Sequence, residues 1–155
     1  MTAESEVRHT KGSERQMGHV YANIRITNDQ DRTLAKAGVI PESEIRSIEL
    51  HDVLVDTGAT HLVLPRGLIQ QLGLDATHSV RVMTADGPRE SRMFGHAHRM
   101  VDGRDDVFSC IEVPDDASPL LGVVPLEVLG LEPDLVNREL RVLPREGPNS
   151  HILLY

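Results

Sequence analysis

Apolar and polar positions alternate along this chain in short stretches. In "MGHVYANIRITN", Val20, Ala22, Ile24 and Ile26 share one face, the period-two pattern of a half-buried strand. Residues 28–43 are polar and interrupted by Gly38 and Pro41, and they read as a loop or excursion. Strand character returns in "EIRSIELHDVLVD": Ile48 and Leu50 alternate, and residues 53–55 are a continuous apolar run. "LVLP" predicts a further short strand. Pro65 and Gly73 then bracket "RGLIQQL" as a short helix. Val80 and Val82 mark a strand that enters the turn "TADGP", and "SRMFGHAHRMV" is its return strand. Asp102-Gly103 makes a second hairpin turn, followed by the strand "VFSCIEVP" and the loop "DDASP". "LLG" is short and apolar, "PLEVL" has room for one helical piece, and "DLVNRELRVLP" reads as two strands around Asn137-Arg138. The sum is all-β: a closed, hairpin-rich barrel or folded sheet with one or two short helices, rather than βαβ units.

Length and composition narrow the functional classes. A chain of 155 residues suits one domain and can bury roughly 68–70% of its unfolded surface. The folded domain is expected over residues 17–145. Residues 1–16 are expected to be a solvated, disordered tail, and residues 146–155 a C-terminal tail ending in the apolar "HILLY". The opening fifteen residues hold no apolar stretch of the kind a signal peptide or anchor needs, and no run approaches a membrane span. A soluble, cytoplasmic protein with no membrane partner is therefore expected. Cys110 is the only cysteine, so no internal disulfide can form. Sixteen basic residues against 24 acidic ones give a net charge of −8, and aromatic residues are 3% of the chain. Both argue against a nucleic-acid partner, which needs a basic face and stacking platforms.

Several constellations have bland readings. His96 and His98 in "HAH" could form a metal pair on one strand face. Without a zinc-type Cys/His spacing, an exposed strand pair is the better reading, and no metal or other cofactor is expected. Cys110 in "VFSCIEV" reads as a buried small hydrophobe rather than a nucleophile. "DGRDD" and "PDD" lack the acidic spacing of a calcium loop, and no nucleophile elbow is present.

The stretch "VLVDTGATHLVLP" is different. An apolar strand delivers Asp56 to a Thr-Gly turn, and a second apolar strand leaves it. One reading is a plain turn, since Asp and Gly are common turn formers. Another is a phosphorylated aspartate, but the accompanying Lys and a phosphate cradle are missing. The third is an aspartic peptidase. That chemistry needs two carboxylates close enough to share one proton, one acting as base on a water and the other donating to the scissile carbonyl.

Three stretches, in order and spacing, resemble the retropepsin-like aspartic proteases, the single-domain clan of retroviral proteases and bacterial relatives. They are "LVDTGAT" at residues 54–60, "TADG" at 84–87, and "LLG" at 120–122 followed by a helical stretch. The tail "LLGVVPLEVLGLEPDLVNRELRVLP" looks like a bacterial subgroup of that clan. The resemblance implies that Asp56 is the catalytic acid/base and that Thr57 bonds across a subunit boundary. It implies that Gly58 lets the substrate backbone approach, and that Leu121 and Gly122 support the loop from below. Ala59 and Thr60, with Thr84, Ala85, Asp86 and Gly87 of a flap tip, would meet the substrate. Two positions depart from the retroviral pattern. Thr60 and Val123 stand where an acid and a basic residue form an ion pair, and both are absent together, so no lone buried charge remains. The flap lacks a double-Gly tip, and Pro88 stiffens one side. Only one "DTG" is present, and Asp86-Gly87 and Asp102-Gly103 sit in polar turns. The resemblance with this count implies a C2 homodimer acting as an endopeptidase on polypeptides. The alternative is a non-catalytic peptide-binding or dimerisation module on the same fold.

Overall fold

A computed structural model describes residues 19–145; both expected tails lie outside the described residues. β1 (Val20–Asn28) buries Val20, Ala22, Ile24 and Ile26, as its alternation predicts. It pairs antiparallel with β2 (Ser47–Val55). The pairing slips between Ala22 and Ile24, where Asp52 adds one residue to β2 with a φ of 57°. This bulge changes the parity of β2. Ile48 before it and Val53 and Val55 after it therefore all turn to the core. Asn23 seals the bulge, its Oδ1 accepting the Asp52 N–H at 3.1 Å.

Residues 28–43 correct the expected loop. They contain helix α1 (Asp29–Lys36) and the start of a 3-10 turn (Glu42–Glu44). Asn28 caps α1 by accepting from the Asp31 N–H at 3.0 Å, acidic Asp29 and Asp31 lie in its first turn, and Lys36 lies in its last. The only buried residue on α1 is Asp31. Its carboxylate accepts from Arg46 Nε at 2.9 Å, Arg46 Nη2 at 3.0 Å and the Arg46 backbone N–H at 3.0 Å. These bonds hold the Asp31 carboxyl below its ordinary range. Because the folded value is depressed, this stabilisation is complete above the ordinary Asp value of about 4 and is lost as the pH falls through the folded value. Urea midpoints measured from pH 7 to pH 2 should fall in that acidic window. They should fall less steeply for Asp31→Asn, which starts from a lower midpoint at pH 7.

β3 (Leu62–Pro65) leads into helix α2 (Arg66–Leu72), which Pro65 opens and Gly73 closes at a φ of 66°, as expected. β4 (Asp75–Thr84) and β5 (Gly87–Val101) form the long hairpin predicted around "TADGP". β6 (Arg104–Val113) returns through Asp102-Gly103, both at positive φ. β7 (Leu120–Leu121), α3 (Val123–Leu129) and the hairpin β8 (Leu131–Asp134) and β9 (Glu139–Val142) complete the described chain. Among the described residues three α-helices are present where one or two were expected. The last hairpin turns over residues 135–138, so its first strand is "LEPD" rather than "DLV".

The main sheet runs β1-β2-β7-β3-β6-β5-β4, and β5 also pairs with β1, which closes a six-stranded barrel. The expected all-β barrel is therefore observed, with parallel pairs β2–β7 and β3–β6 among the antiparallel ones. Its core includes Ile26, Leu62, Leu64, Ala97, Cys110 and Leu121, all essentially without solvent exposure. Residues 97–101 of β5 run inside the barrel wall, whereas residues 87–92 pair with β4 alone, so the β4–β5 hairpin projects from the barrel. Among the described residues no helix is long and apolar enough to cross a membrane.

Two interior features were not anticipated. Arg99 is fully buried on β5, cross-strand from Ile26. Its guanidinium lies 3.8 Å from the Phe108 ring centroid, and none of its three nitrogens has a hydrogen-bond partner among the described residues. Burial pulls its pKa down to about 9. His98, expected to be exposed beside His96, is instead buried, with Nε2 2.7 Å from Asp105 Oδ2, while His96 stays exposed. The slip in the β5–β6 register between Phe94 and Ala97 breaks the alternation that would put the two rings on one face.

Candidate active site

Asp56 sits at the point where β2 leaves the barrel. The Asp56 N–H donates to the Leu121 carbonyl at 3.0 Å, so the backbone is anchored where the turn begins. The Gly58 N–H donates to Asp56 Oδ1 at 2.9 Å, and the Ala59 N–H donates to the Asp56 carbonyl at 3.0 Å. The carboxylate is thus aimed by its own turn. A Cβ on Gly58 would lie 3.1 Å from Asp56 Oδ1, tight against the oxygen that its N–H holds. In the single chain Asp56 is half-buried, and Thr57, Gly58 and Thr60 are exposed.

The turn is closed from below by residues far along the chain. β7 lies between β2 and β3: Leu54 and Val55 pair parallel with Leu120 and Leu121, which pair antiparallel with Val63 and Leu62 on the other side. Leu121 is fully buried. The first residues of α3 then bond the turn, with the Val123 N–H donating to the Ala59 carbonyl at 2.8 Å and the Val124 N–H to the Thr60 carbonyl at 3.1 Å. Gly122 fits between them. A Cβ there would stand 2.5 Å from the His61 carbonyl oxygen and 2.6 Å from the Thr60 carbonyl carbon. The Thr60 hydroxyl lies 2.7 Å from His61 Nδ1.

The structure therefore brings Asp56, Gly58, Ala59 and Thr60 together with Leu121 and Gly122. The flap candidates Thr84, Ala85, Asp86 and Gly87 stand apart, at the tip of the projecting hairpin. Their hydrogen bonds are internal: the Thr84 hydroxyl donates to the Gly87 carbonyl at 2.8 Å and accepts the Asp86 N–H at 3.2 Å. Met83 beside them is 79% exposed. The base of this hairpin is fixed by Glu112, which sequence reasoning did not single out. Buried on β6, it accepts from Arg92 Nε and Nη2 at 3.2 and 3.1 Å and from Arg66 Nε at 3.3 Å. An acid inside the apolar run "CIEVP" was the available signal. Cys110 is buried, and burial pushes its thiol up to about 12, which suits a core residue and not a nucleophile. Among the described residues no group of three or more His, Cys, Asp or Glu could hold a metal ion.

The family model that matches the chain is described as aspartyl protease and spans residues 44–102, which include Asp56 and the projecting hairpin. The match takes in the whole Asp56 turn, the outgoing strand β3 and both strands of the hairpin. Among solved structures the chain is similar to EIAV protease complexed with the inhibitor HBY-793. The identity is 23% and the TM-score 0.45, over 51% of this chain and 76% of that one. No curated protein matches the chain.

Proposed function

We propose that the protein is an aspartic endopeptidase whose active unit is a C2 homodimer, with one Asp56 from each subunit. The observation that carries this reading is the placement of Asp56. It ends an apolar strand, its carboxylate is held by the Gly58 N–H, and its turn is braced by β7 and α3. Each chain carries one such turn, so the second carboxylate comes from a second copy. Two carboxylates within about 3 Å cannot both ionise, and they share one proton. The ionised member takes a proton from a water between them, and the protonated member donates to the carbonyl oxygen of the scissile bond. Thr57, exposed in the single chain, bonds across the subunit boundary in this reading. Leu121 and Gly122 hold the loop. The extended substrate lies between the catalytic loops, near Ala59 and Thr60, and under the projecting hairpins, near Thr84, Ala85, Asp86 and Gly87. It pairs through its main chain. Residues 17–145 form the protease domain in this reading.

Mixing wild-type and Asp56→Asn subunits tests it. At constant total protein, an equal mixture should retain about a quarter of the wild-type activity, because only dimers of two wild-type chains carry two carboxylates. Retention of about half would mean that each chain works alone, and the dimer mechanism would be wrong.

A further inference from the structure

Glu112 is a buried acid that the proposed chemistry does not use, and its strand places it where three elements meet. On β6 it lies opposite Leu64 of β3, and β5 runs along its other side. A buried carboxylate needs a counter-charge, and two arginines supply it. Arg92 donates from Nε to one oxygen at 3.2 Å and from Nη2 to the other at 3.1 Å, and Arg66 donates from Nε to that second oxygen at 3.3 Å. The Arg92 guanidinium also lies over the Phe94 ring, 5.1 Å from its centroid. The places of the two arginines in the chain give the cluster its use. Arg92 is the last residue of β5 before that strand joins β6 at Met93, so it stands at the root of the projecting hairpin. Arg66 opens α2 directly after β3, the strand that leaves the Asp56 turn. Among the described residues no other side chain from 78 to 92 hydrogen-bonds outside the hairpin: Thr84 bonds within the tip and His78 to Thr77. Most of β4 is exposed, so little packing fixes the hairpin's angle.

We propose that Glu112, Arg66 and Arg92 form a positioning cluster that sets the angle of the β4–β5 hairpin relative to the Asp56 turn, and with it the hold on substrate. The effect on substrate rests on the peptidase reading; the effect on the hairpin does not. A planar guanidinium that meets both oxygens of a carboxylate fixes direction as well as distance. Without that contact the hairpin keeps its own ladder but swings about the point where β5 joins β6. The cluster acts through the hairpin and takes no part in breaking the bond.

The first test uses the full-length protein and does not depend on activity. Spin labels are placed at Met83→Cys, beside the hairpin tip, and at Gln71→Cys, exposed on α2. Cys110, buried with its thiol pushed up to about 12, is not labelled. Excess unlabelled protein ensures that only pairs within one chain are read. Arg92→Gln, which leaves Glu112 its pairing with Arg66, should broaden the distance distribution about twofold. Glu112→Gln attacks the same contact from the other side and should broaden it likewise. Arg89→Gln, on the same strand but outside the cluster, should leave it narrow. In peptide cleavage, Arg92→Gln should raise KM about tenfold with kcat little changed, the mark of lost binding rather than lost chemistry. An unchanged width in both cluster variants overturns the proposal, and so does a fall in kcat with KM unchanged. If the wild-type protein cuts nothing, the peptidase reading fails, while the distances still decide whether the cluster places the hairpin.

Discussion

Asp56→Asn will leave a folded chain that does not cut. Asn is nearly isosteric with Asp, and its amide oxygen can still accept the Gly58 N–H that holds Oδ1 at 2.9 Å. The turn, braced by Leu121, Val123 and Val124 through backbone bonds, does not depend on the charge. What disappears is the proton acceptor and donor. General acid–base roles are each worth about 10²–10⁴ in rate, and the proposed dimer would lose both at once, so cleavage should fall by at least about 10³. The measurement is digestion of an unfolded protein mixture by both forms from pH 3 to pH 7, with circular dichroism confirming equal folding. Equal cutting by both forms would place the chemistry elsewhere. Inactivity of both would favour a peptide-binding module on this fold.

Gly122→Ala should have the second-largest effect, by a purely steric route. Gly122 has φ −87° and ψ −179°, a conformation open to any L-residue, so backbone strain is not the reason for glycine here. The reason is space. Its Cβ would fall 2.5–2.6 Å from backbone atoms of Thr60 and His61, which cannot swing away as a side chain could. The loop and the start of α3 must separate, at a cost of about 1–3 kcal/mol. Because α3 and the Asp56 turn share the bonds across this contact, the carboxylate moves with them. A displacement of about 1 Å at reacting groups is enough to reduce the rate by about 10²-fold. Both losses should appear together, as a lower urea midpoint and a lower kcat. Gly103→Ala is the informative contrast: a Cβ there meets nothing within 4 Å, so only the strain of its φ of 77° at a distant turn is felt.

How far these features could be read from the sequence depended on how local their causes are. The alternation of β1, the Pro65-to-Gly73 bracket and both hairpin turns are set by neighbouring residues, and they were legible. The Asp56 turn was legible for the same reason, since its defining bond joins residues two apart. Helix α1 was missed because only Asp31 on it is buried, so no apolar stripe announces it. Its capping residues Asn28, Asp29 and Lys36 were the remaining signal. The bulge at Asp52 is visible only against the partner strand. The pairing of His98 with Asp105 likewise depends on a register slip that neither segment shows alone. Arg99 occupies an inward position between Ala97 and Val101, yet nothing in its own sequence warns that a guanidinium is sealed there against Phe108.

The two-residue strand β7 also bears on how the molecule is made. The Asp56 turn and the strand that braces it are about sixty residues apart in sequence, and β2 and β3 are joined only through residues 120–121, which lie between them. Local hairpins such as β4–β5 can close early, because short loops lose little entropy on closing. The Asp56 turn cannot be completed until nearly the whole domain has been synthesised and collapsed. If the chain is the proposed enzyme, a nascent or partly folded chain is inert by construction, because the turn that carries Asp56 and the closure of the barrel wait on the same two residues.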